Sequence, residues 1–352
     1  MGYEPGRRVR KHVFGRTRAE VVEKMKPLLK ARDEHRPVPD ERLKVGAFLR
    51  TWLEDVAKPT IRVSTYESYR SIVEVHLVPG LGHLRLAKLT PADVQTFLTK
   101  KHESGLSPRR VQMLHAILRR ALRIAEEWGY VSRNVARLVR PPRVPKHEIT
   151  PLTPGQAAIL IRSSEDHRLH ALWVSALGTG LRQGELLGLR WEDVEVDQAR
   201  LTVRHTLQRV GGELVLLEPK TERSRRTIAL PEVVMSALRG HRTRQKMERL
   251  VAGSRWVDSG HVFTTSRGTP LDAATVIRSF QRALSGAALP HRRFHDLRHS
   301  AATFLLAQGF SLEDVKNLLG HSSIVLTSNT YGHVLEGRQR ELADGLDTVL
   351  TG

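Results

Sequence analysis

The sequence predicts a multidomain, mainly α-helical protein in which an all-α domain precedes an α+β domain. From residue 43 to about residue 140, apolar residues recur at i, i+3 and i+4 without convincing alternation. Beyond the N-terminus, two-residue alternation appears only between residues 199 and 230. Proline-rich, charged segments at 37–42 and 140–151 separate these regions. A chain of 352 residues is long enough for two or three domains with sizeable cores.

The N-terminal segment, residues 1–37, predicts one strand followed by one helix. GRRVRKHVFG alternates basic and apolar residues. The amphipathic stretch after it begins with Thr17 as N-cap and Glu20 as its capping-box partner. One strand and one helix bury too little surface to fold alone. We therefore expect this segment to be an incomplete unit or to pack against something else.

Residues 38–143 predict an all-helical domain of four or five helices. Serine and threonine precede the apolar-periodic stretches, and proline follows two of them at the first helical position. The predicted N-caps and first-turn prolines are Ser64, Thr90, Ser107, Pro91 and Pro108. A linker, residues 144–150, follows this domain.

The last long helix of this domain is crowded with arginine. The residues concerned are Arg109, Arg110, Arg119, Arg120 and Arg123. The formal net charge of the whole chain is +20, and its 57 basic residues comprise 13 Lys and 44 Arg. A solvated helix face is the simpler interpretation, but a one-sided basic run in so basic a chain favours a surface that follows DNA phosphates.

Composition also excludes several classes of protein. The chain has no cysteine, which excludes disulfides, thiolate metal sites and thiol catalysis. No apolar stretch approaches the roughly 20 residues of a membrane span, and no signal peptide is recognisable. An anionic membrane surface could attract the charge, but the arginines are not paired with an exposed apolar helix face. We expect a soluble, cytoplasmic protein associated with the nucleoid.

Residues 151–335 predict an α+β domain, mostly helical with one small antiparallel sheet that turns at Gly211-Gly212. Within it, Arg182 and Glu185 stand three residues apart on a helix, a spacing typical of a surface ion pair. Residues 336–352 predict a C-terminal tail helix with one apolar stripe. That stripe could cover this domain or dock on a second copy of the chain.

The segment 291–334 carries the strongest chemical pattern of the sequence. His295 and Arg298 lie three residues apart on a helical pattern, and Ser311 caps a second helix that ends at Gly320. His321 follows that glycine, and Tyr331 follows in a short polar segment. A tyrosine held beside cationic donors is suited to attack on a phosphate.

The order Arg182, Lys220, His295, Arg298, His321 and Tyr331 resembles that of the tyrosine recombinase, or phage integrase, family. The motifs concerned are TGLRQGELLGLRW, PKTERSRRTIAL, HDLRHSAAT and LGHSSIVLTSNTYGH. The resemblance covers the chain from about residue 150 onward with high specificity. More weakly, residues 38–143 resemble the core-site DNA-binding (SAM-like) domain of that family. Residues 1–37 look like the end of an arm-site-binding domain from which an earlier strand is missing.

The resemblance implies that Tyr331 attacks a DNA phosphodiester and forms a 3′-phosphotyrosyl link with a free 5′-hydroxyl. It implies that Arg182, Arg298 and His321 stabilise the charge on the non-bridging oxygens. Lys220 would protonate the leaving 5′-oxygen, and His295 would support proton transfer. Glu185 would orient the arginines and histidines. With so many fixed cations, the implied reaction needs no metal, no ATP and no other cofactor.

The implied function is site-specific recombination that integrates and excises a phage or mobile element at DNA attachment sites. The implied assembly is a homotetramer on two duplexes, a dimer per site, and a DNA-bending host factor and a directionality factor are candidate partners. Two alternatives are a type IB topoisomerase-like enzyme and a catalytically silent DNA-binding regulator. The His295–His299 spacing also imitates a zinc motif, but aspartate replaces its glutamate and Arg298 would place a charge beside the metal.

Overall fold

The computed structural model describes residues 2–4, 7–9, 13–33, 42–145, 150–218, 225–320, 323–325, 328 and 331. The chain forms two compact units, residues 1–146 and 147–352. Lys220, His321 and the predicted tail helix lie outside the described residues. No helix in the described ranges is long and apolar enough to cross a membrane.

The N-terminal unit begins with a short antiparallel hairpin of β1 (Gly2–Glu4) and β2 (Arg7–Val9), in which Tyr3 is paired with Arg8. Helix α1 (Arg18–Asp33) follows, and the Thr17 hydroxyl accepts from the amide of Glu20. The strand predicted within residues 6–15 is present as β2 at residues 7–9, but the prediction of one strand is wrong because β1, residues 2–4, pairs with it.

The remaining elements of this unit that lie within residues 42–145 are all helices, as the sequence predicts. Its helices are α2 (Val45–Thr51), α3 (Val63–Ile72), α4 (Val78–Leu81), α5 (Pro91–Glu103) and α6 (Pro108–Glu127). Helices α2 and α3 each continue into a π-helical turn, Trp52–Ala57 and Val73–Leu77. The core contains the side chains of Phe48, Trp52, Leu98, Leu114 and Leu118.

The predicted N-caps are confirmed for α5 and α6 but wrong for α3. Thr90 forms a reciprocal capping box with Asp93, and the hydroxyl of Ser107 accepts from the amide of Arg110. Helix α3 begins two residues earlier than expected, after an extended Arg62 that makes no side-chain cap. Ser64 consequently lies inside the first turn of α3, where it is not an N-cap.

The C-terminal unit combines seven helices in the described residues with five short strands. The helices are α7 (Pro154–Ser163), α8 (His170–Thr179), α9 (Gln183–Leu187), α10 (Glu232–Ala252), α11 (Ala273–Gly286), α12 (Asp296–Ala307) and α13 (Leu312–Leu319). Trp173 on α8 packs against Phe280 and Phe294, so α8 lies inside the core of this unit. The predicted fold class, an all-α domain followed by an α+β domain, is confirmed.

The strands form two small sheets, whereas the sequence predicts one. Strands β3 (Val194–Glu195), β4 (Arg200–Val203) and β7 (Arg226–Ala229) form an antiparallel sheet in the order β3-β4-β7. Strands β5 (Thr206–Val210) and β6 (Glu213–Leu217) form a separate hairpin.

The break between β4 and β5 has a packing reason. Strand β5 passes so close to α9 that a Cβ atom on Gly184 would lie 2.5 Å from the Thr206 hydroxyl. A Cβ atom on Gly188 would lie 2.9 Å from the Leu207 amide nitrogen. The hairpin is thus separate from the first sheet because it packs against α9, where glycines allow the close approach. Two-residue alternation in the sequence does not indicate this separation.

We expect Thr90→Ala to lower the free energy of unfolding by about 1 kcal/mol, because it removes the side-chain acceptor for the Asp93 amide at the start of α5. Ser64→Ala is the matched control and should change the free energy of unfolding by less than about 0.5 kcal/mol. Urea denaturation of both variants provides the measurement. Equal losses in the two variants would contradict the difference in capping.

Candidate active site

Arg298, in the first turn of α12, is the buried centre of the site, with 2 % of its surface exposed. Its Nη1 donates to the Gly180 carbonyl and its Nη2 to the Leu319 carbonyl, each at 2.7 Å. These carbonyls lie at the C-terminal ends of α8 and α13, where the helix dipole favours a cation. Arg298 therefore joins three helices through its guanidinium group.

Glycine is required where α8 ends. Gly180 has a φ of +61°, and a Cβ atom there would lie 2.7 Å from Cδ2 of Leu319. Because the same glycine offers its carbonyl to Arg298, the close approach of α8 and α13 and the placement of the guanidinium depend on one residue.

Glu185 is a buried carboxylate between two arginines. It accepts from Arg182 Nη1 at 2.7 Å and from the Arg182 amide at 3.0 Å. It also accepts from Arg226 Nη2 at 3.0 Å, and the Glu185 and Arg226 side chains are only 5 % and 8 % exposed. Arg182 donates further to the Gly320 carbonyl, and Arg226 to the Leu318 carbonyl. The surface ion pair considered from the spacing of Arg182 and Glu185 is therefore wrong.

The neighbouring arginines lower the pKa of both Glu185 and Arg298. This favours the charged form of the carboxylate and disfavours the charged form of the guanidinium. Burial alone would raise the pKa of Glu185, but the charges of Arg226 and Arg182 hold that pKa below its ordinary value. Burial lowers the pKa of Arg298 to about 9, and the charge of Arg182 contributes to the lowering. Arg298 still carries its charge at neutral pH, without a carboxylate bonded to it among the described residues.

Tyr331 is 2 % exposed and packs in an apolar cluster with side chains of α12 and α13. Its hydroxyl lies 2.6 Å from Nδ1 of His299. Burial raises the pKa of Tyr331 to about 12, against an opposing effect from the charge of Arg298. The phenol is therefore protonated at neutral pH in the free protein.

His295 and His299 face each other across the start of α12. Their rings are perpendicular, with centroids 5.0 Å apart. Desolvation lowers the pKa of His295, which keeps an exposed side, and the charges of Arg298 and Arg182 lower it further. Burial and the neighbouring His295 lower the pKa of His299 to about 4. Both imidazoles are thus neutral at pH 7 and able to accept a proton or hydrogen bond.

The structure brings together Arg182, Glu185, Arg298, His295 and Tyr331 from the predicted set, since the charges of Arg182 and Arg298 act on His295 and that of Arg298 acts on Tyr331. In the part of the chain that the structure describes, no three His, Asp or Glu side chains cluster as metal ligands.

Sequence reasoning missed two members of this site, His299 and Arg226. The i, i+4 spacing of His295 and His299 is a signal, but it suggests a metal motif rather than contact with a distant phenol. For Arg226 the signal is strand alternation, because Ile228, two residues further along β7, is buried.

In the N-terminal unit, the five arginines predicted to contact DNA lie on α6. Arg109, Arg119, Arg120 and Arg123 are exposed and Arg110 is half-buried. Arg120 donates to the Tyr69 hydroxyl at 3.1 Å, and Arg123 lies 3.5 Å from Glu127. The opposite side of α6 is buried in the core. The helix therefore presents a largely basic outer face.

Comparison with known proteins agrees with this fold. The model of the phage integrase family matches residues 152–338, and that of the phage integrase N-terminal SAM-like domain matches residues 44–102. A "Tyrosine recombinase XerC-like" protein of Caldanaerobacter subterraneus subsp. tengcongensis is 30% identical over 98% of this chain and 93% of its own length.

Two solved structures are similar in fold. The Tn1549 transposon integrase in complex with transposon right end DNA is 22% identical, with a TM-score of 0.71 over 85% of this chain and 99% of its own. A lambda integrase tetramer bound to a Holliday junction is 21% identical, with a TM-score of 0.62 over 90% of this chain and 88% of its own.

The mainly helical α+β fold and the two matching family models define the class of protein, enzymes that cleave and rejoin DNA. The chain belongs to the phage integrase family. It is a site-specific tyrosine recombinase, an enzyme that cleaves and rejoins DNA.

We expect Glu185→Gln to lower the free energy of unfolding by about 3 kcal/mol at pH 7, because it removes the buried carboxylate that neutralises the Arg226 charge. The control Glu195→Gln, in an exposed pair with Arg200, should cost much less, because solvent and salt screen an exposed ion pair. Since the folded-state pKa of Glu185 is below the ordinary 4.5, its contribution is present above that value and is lost as the pH falls through the lower, folded-state pKa.

Chemical denaturation at neutral and acidic pH measures both effects. The difference between wild type and Glu185→Gln should shrink toward acid, while Glu195→Gln should show little difference at neutral pH. A cost for Glu185→Gln no greater than that of the control would contradict the pairing.

Proposed function

We propose that Tyr331 is the nucleophile of DNA cleavage, forming a 3′-phosphotyrosyl link and releasing a 5′-hydroxyl. The observation that carries this proposal is the position of Arg298 at the ends of α8 and α13, where the charges of both Arg182 and Tyr331 act on it. The two guanidiniums act on the non-bridging oxygens of the attacked phosphate, where negative charge accumulates in the transition state.

The remaining roles follow the order of the family motifs. Lys220 is proposed as the general acid that protonates the leaving 5′-oxygen, and His321 as a further donor to the phosphate. His295, which lies beside Arg298, supports proton transfer, and Glu185 orients Arg182 and Arg226. Rejoining is the same displacement in reverse, so the scheme uses neither ATP nor a metal ion.

We further propose that the substrate is double-stranded DNA at attachment sites of a phage or mobile element. The proposed assembly is a homotetramer on two duplexes, with a dimer at each site and the tail, residues 336–352, docking on a neighbouring copy. The lambda integrase tetramer on a Holliday junction, which shares the fold, supports this arrangement. Because that substrate is chromosomal, we propose that the enzyme acts at the nucleoid, where a DNA-bending factor and a directionality factor would meet it.

The basic face of α6 is proposed to contact the DNA backbone. Its exposed arginines leave planar donors facing away from the helical core, and α6 carries acidic residues only near its C-terminal end. Such contacts fix the position of a protein on the duplex and carry no base sequence information themselves.

Tyr331→Phe tests the nucleophile. Wild-type protein incubated with EDTA and a nicked suicide duplex that carries an attachment site should form a covalent protein–DNA band on a denaturing gel. Tyr331→Phe should bind the same duplex and form no such band, because it lacks the attacking oxygen. Tyr130→Phe, which removes the hydroxyl of a half-buried tyrosine in the N-terminal unit, is the matched control and should cleave like wild type. A covalent band from Tyr331→Phe would refute the assignment.

Replacing Arg119 or Arg123 by alanine tests the α6 surface. Each variant should weaken binding uniformly across DNA sequences and reduce the slope of log K against log salt by about 1, because one fewer counterion is released. Arg200→Ala, an exposed arginine on β4 paired with Glu195, should leave the slope unchanged. Fluorescence anisotropy at several salt concentrations provides the measurement. Unchanged slopes for both α6 variants would contradict the proposed contact surface.

A further inference from the structure

Among the residues that the structure describes, the hydroxyl of Tyr331 has one hydrogen-bond partner, His299. The oxygen lies 2.6 Å from Nδ1, and the two rings have centroids 5.6 Å apart at an angle of 55°. Around the phenol ring the contacts are apolar. They come from Ala302, Leu306, Val315 and Leu319. The phenol thus lies in an apolar cluster with an imidazole at its reactive end.

The direction of this hydrogen bond follows from the burial of the hydroxyl. A buried O–H group needs an acceptor, and Nδ1 of His299 is the hydrogen-bond partner recorded for Tyr331 within the described residues. Neutral imidazole accepts at one nitrogen and donates at the other. The Tyr331 hydroxyl therefore donates to Nδ1, and the His299 proton lies on Nε2.

The charges acting on this pair come from the segment that starts α12. Burial is the main cause that lowers the pKa of His299, and His295, Arg293 and Arg298 lower it further, against an opposing effect of Asp296. From α13, Val315 and Leu319 pack with the phenol in the apolar cluster. With a pKa of about 12 for Tyr331 and about 4 for His299, the proton stays on the phenol in the free protein.

We propose that His299 is a catalytic residue of cleavage and rejoining, whose Nδ1 takes the phenolic proton as the Tyr331 oxygen bonds to phosphorus. This inference rests on the proposed role of Tyr331 as nucleophile. In cleavage the bond from the Tyr331 oxygen to phosphorus forms, the bond from phosphorus to the 5′-oxygen breaks, and that oxygen takes a proton from the general acid. Rejoining reverses each transfer, and His299 returns its proton to the departing phenolate.

The DNA phosphate supplies what the free protein lacks for this transfer. A phosphodiester bound at Arg182 and Arg298 offsets the positive charges that disfavour imidazolium at His299. The neighbouring His295 ring, 5.0 Å away, restricts the orientation of His299. Transfer of the proton is therefore coupled to DNA binding, and the phenol stays protonated until the substrate arrives.

The test measures the rate of covalent complex formation on the nicked suicide duplex between about pH 6 and about pH 9. His299→Ala should slow cleavage by about 100-fold with unchanged DNA affinity, because proton transfer to a positioned base contributes that much or more. Its rate should rise with pH more steeply than that of wild type, since hydroxide must then remove the proton. Added imidazole should restore part of the rate.

His299→Asn separates proton transfer from positioning, because its amide can bond the phenol but cannot take a proton at neutral pH. It should be as slow as His299→Ala. If a lower melting temperature shows that the alanine variant is destabilised, the rate of His299→Asn decides whether proton transfer has been lost. His291→Ala, an exposed histidine ahead of α12, is the matched control and should cleave like wild type.

Wild-type rates and pH dependence in His299→Asn or in a folded His299→Ala would overturn the role of His299. In that case the failure of Tyr331→Phe to form the covalent band would leave the proposed function intact. A covalent band from Tyr331→Phe would instead overturn the proposed function itself.

Discussion

The site depends on a buried arginine that is held by helix ends instead of by a carboxylate. Arg298 bonds to the Gly180 and Leu319 carbonyls, so the ends of α8 and α13 are fixed relative to the start of α12. Helix C-termini carry partial negative charge, which stabilises a cation without neutralising it. A bonded carboxylate would stabilise Arg298 more strongly, but it would also cancel the charge that a phosphate needs.

The distribution of charge around Arg298 follows from this constraint. Within the described part of the site, Glu185 is shared by Arg182 and Arg226, and Asp296 is paired with Arg293. Arg182 thus shares its carboxylate with Arg226, and the bonds of Arg298 go to backbone carbonyls, so the positive charge of this pair is only partly neutralised. Their mutual repulsion contributes to the lowered pKa of Arg298, and a bound phosphodiester would relieve it. The charge distribution of the free protein therefore favours binding of an anion beside Arg182 and Arg298.

The sequence predicts the parts of this structure that depend on local rules. Capping residues such as Thr90 and Ser311, and the αL glycine at Gly320, are recognisable because each acts within one helical turn. The division into two sheets is not recognisable, because it depends on how closely β5 packs against the glycines of α9. The contact of His299 with Tyr331 spans 32 residues of sequence, and only the packing of α12 against α13 brings the two side chains together.

Burial of Tyr331 also bears on the energetics of rejoining. An aryl phosphate is a more reactive ester than an alkyl phosphate, because a phenol has a lower pKa than an alcohol and is the better leaving group. Burial raises the pKa of Tyr331 to about 12, which brings the phenol closer to the 5′-hydroxyl that it replaces. On the proposal that Tyr331 is the nucleophile, the phosphotyrosyl link then loses part of the extra reactivity that an aryl ester has over an alkyl ester. A nearly balanced exchange suits an enzyme that must rejoin each strand without an external source of energy, so the apolar cluster of α12 and α13 acts on the chemistry as well as on the fold.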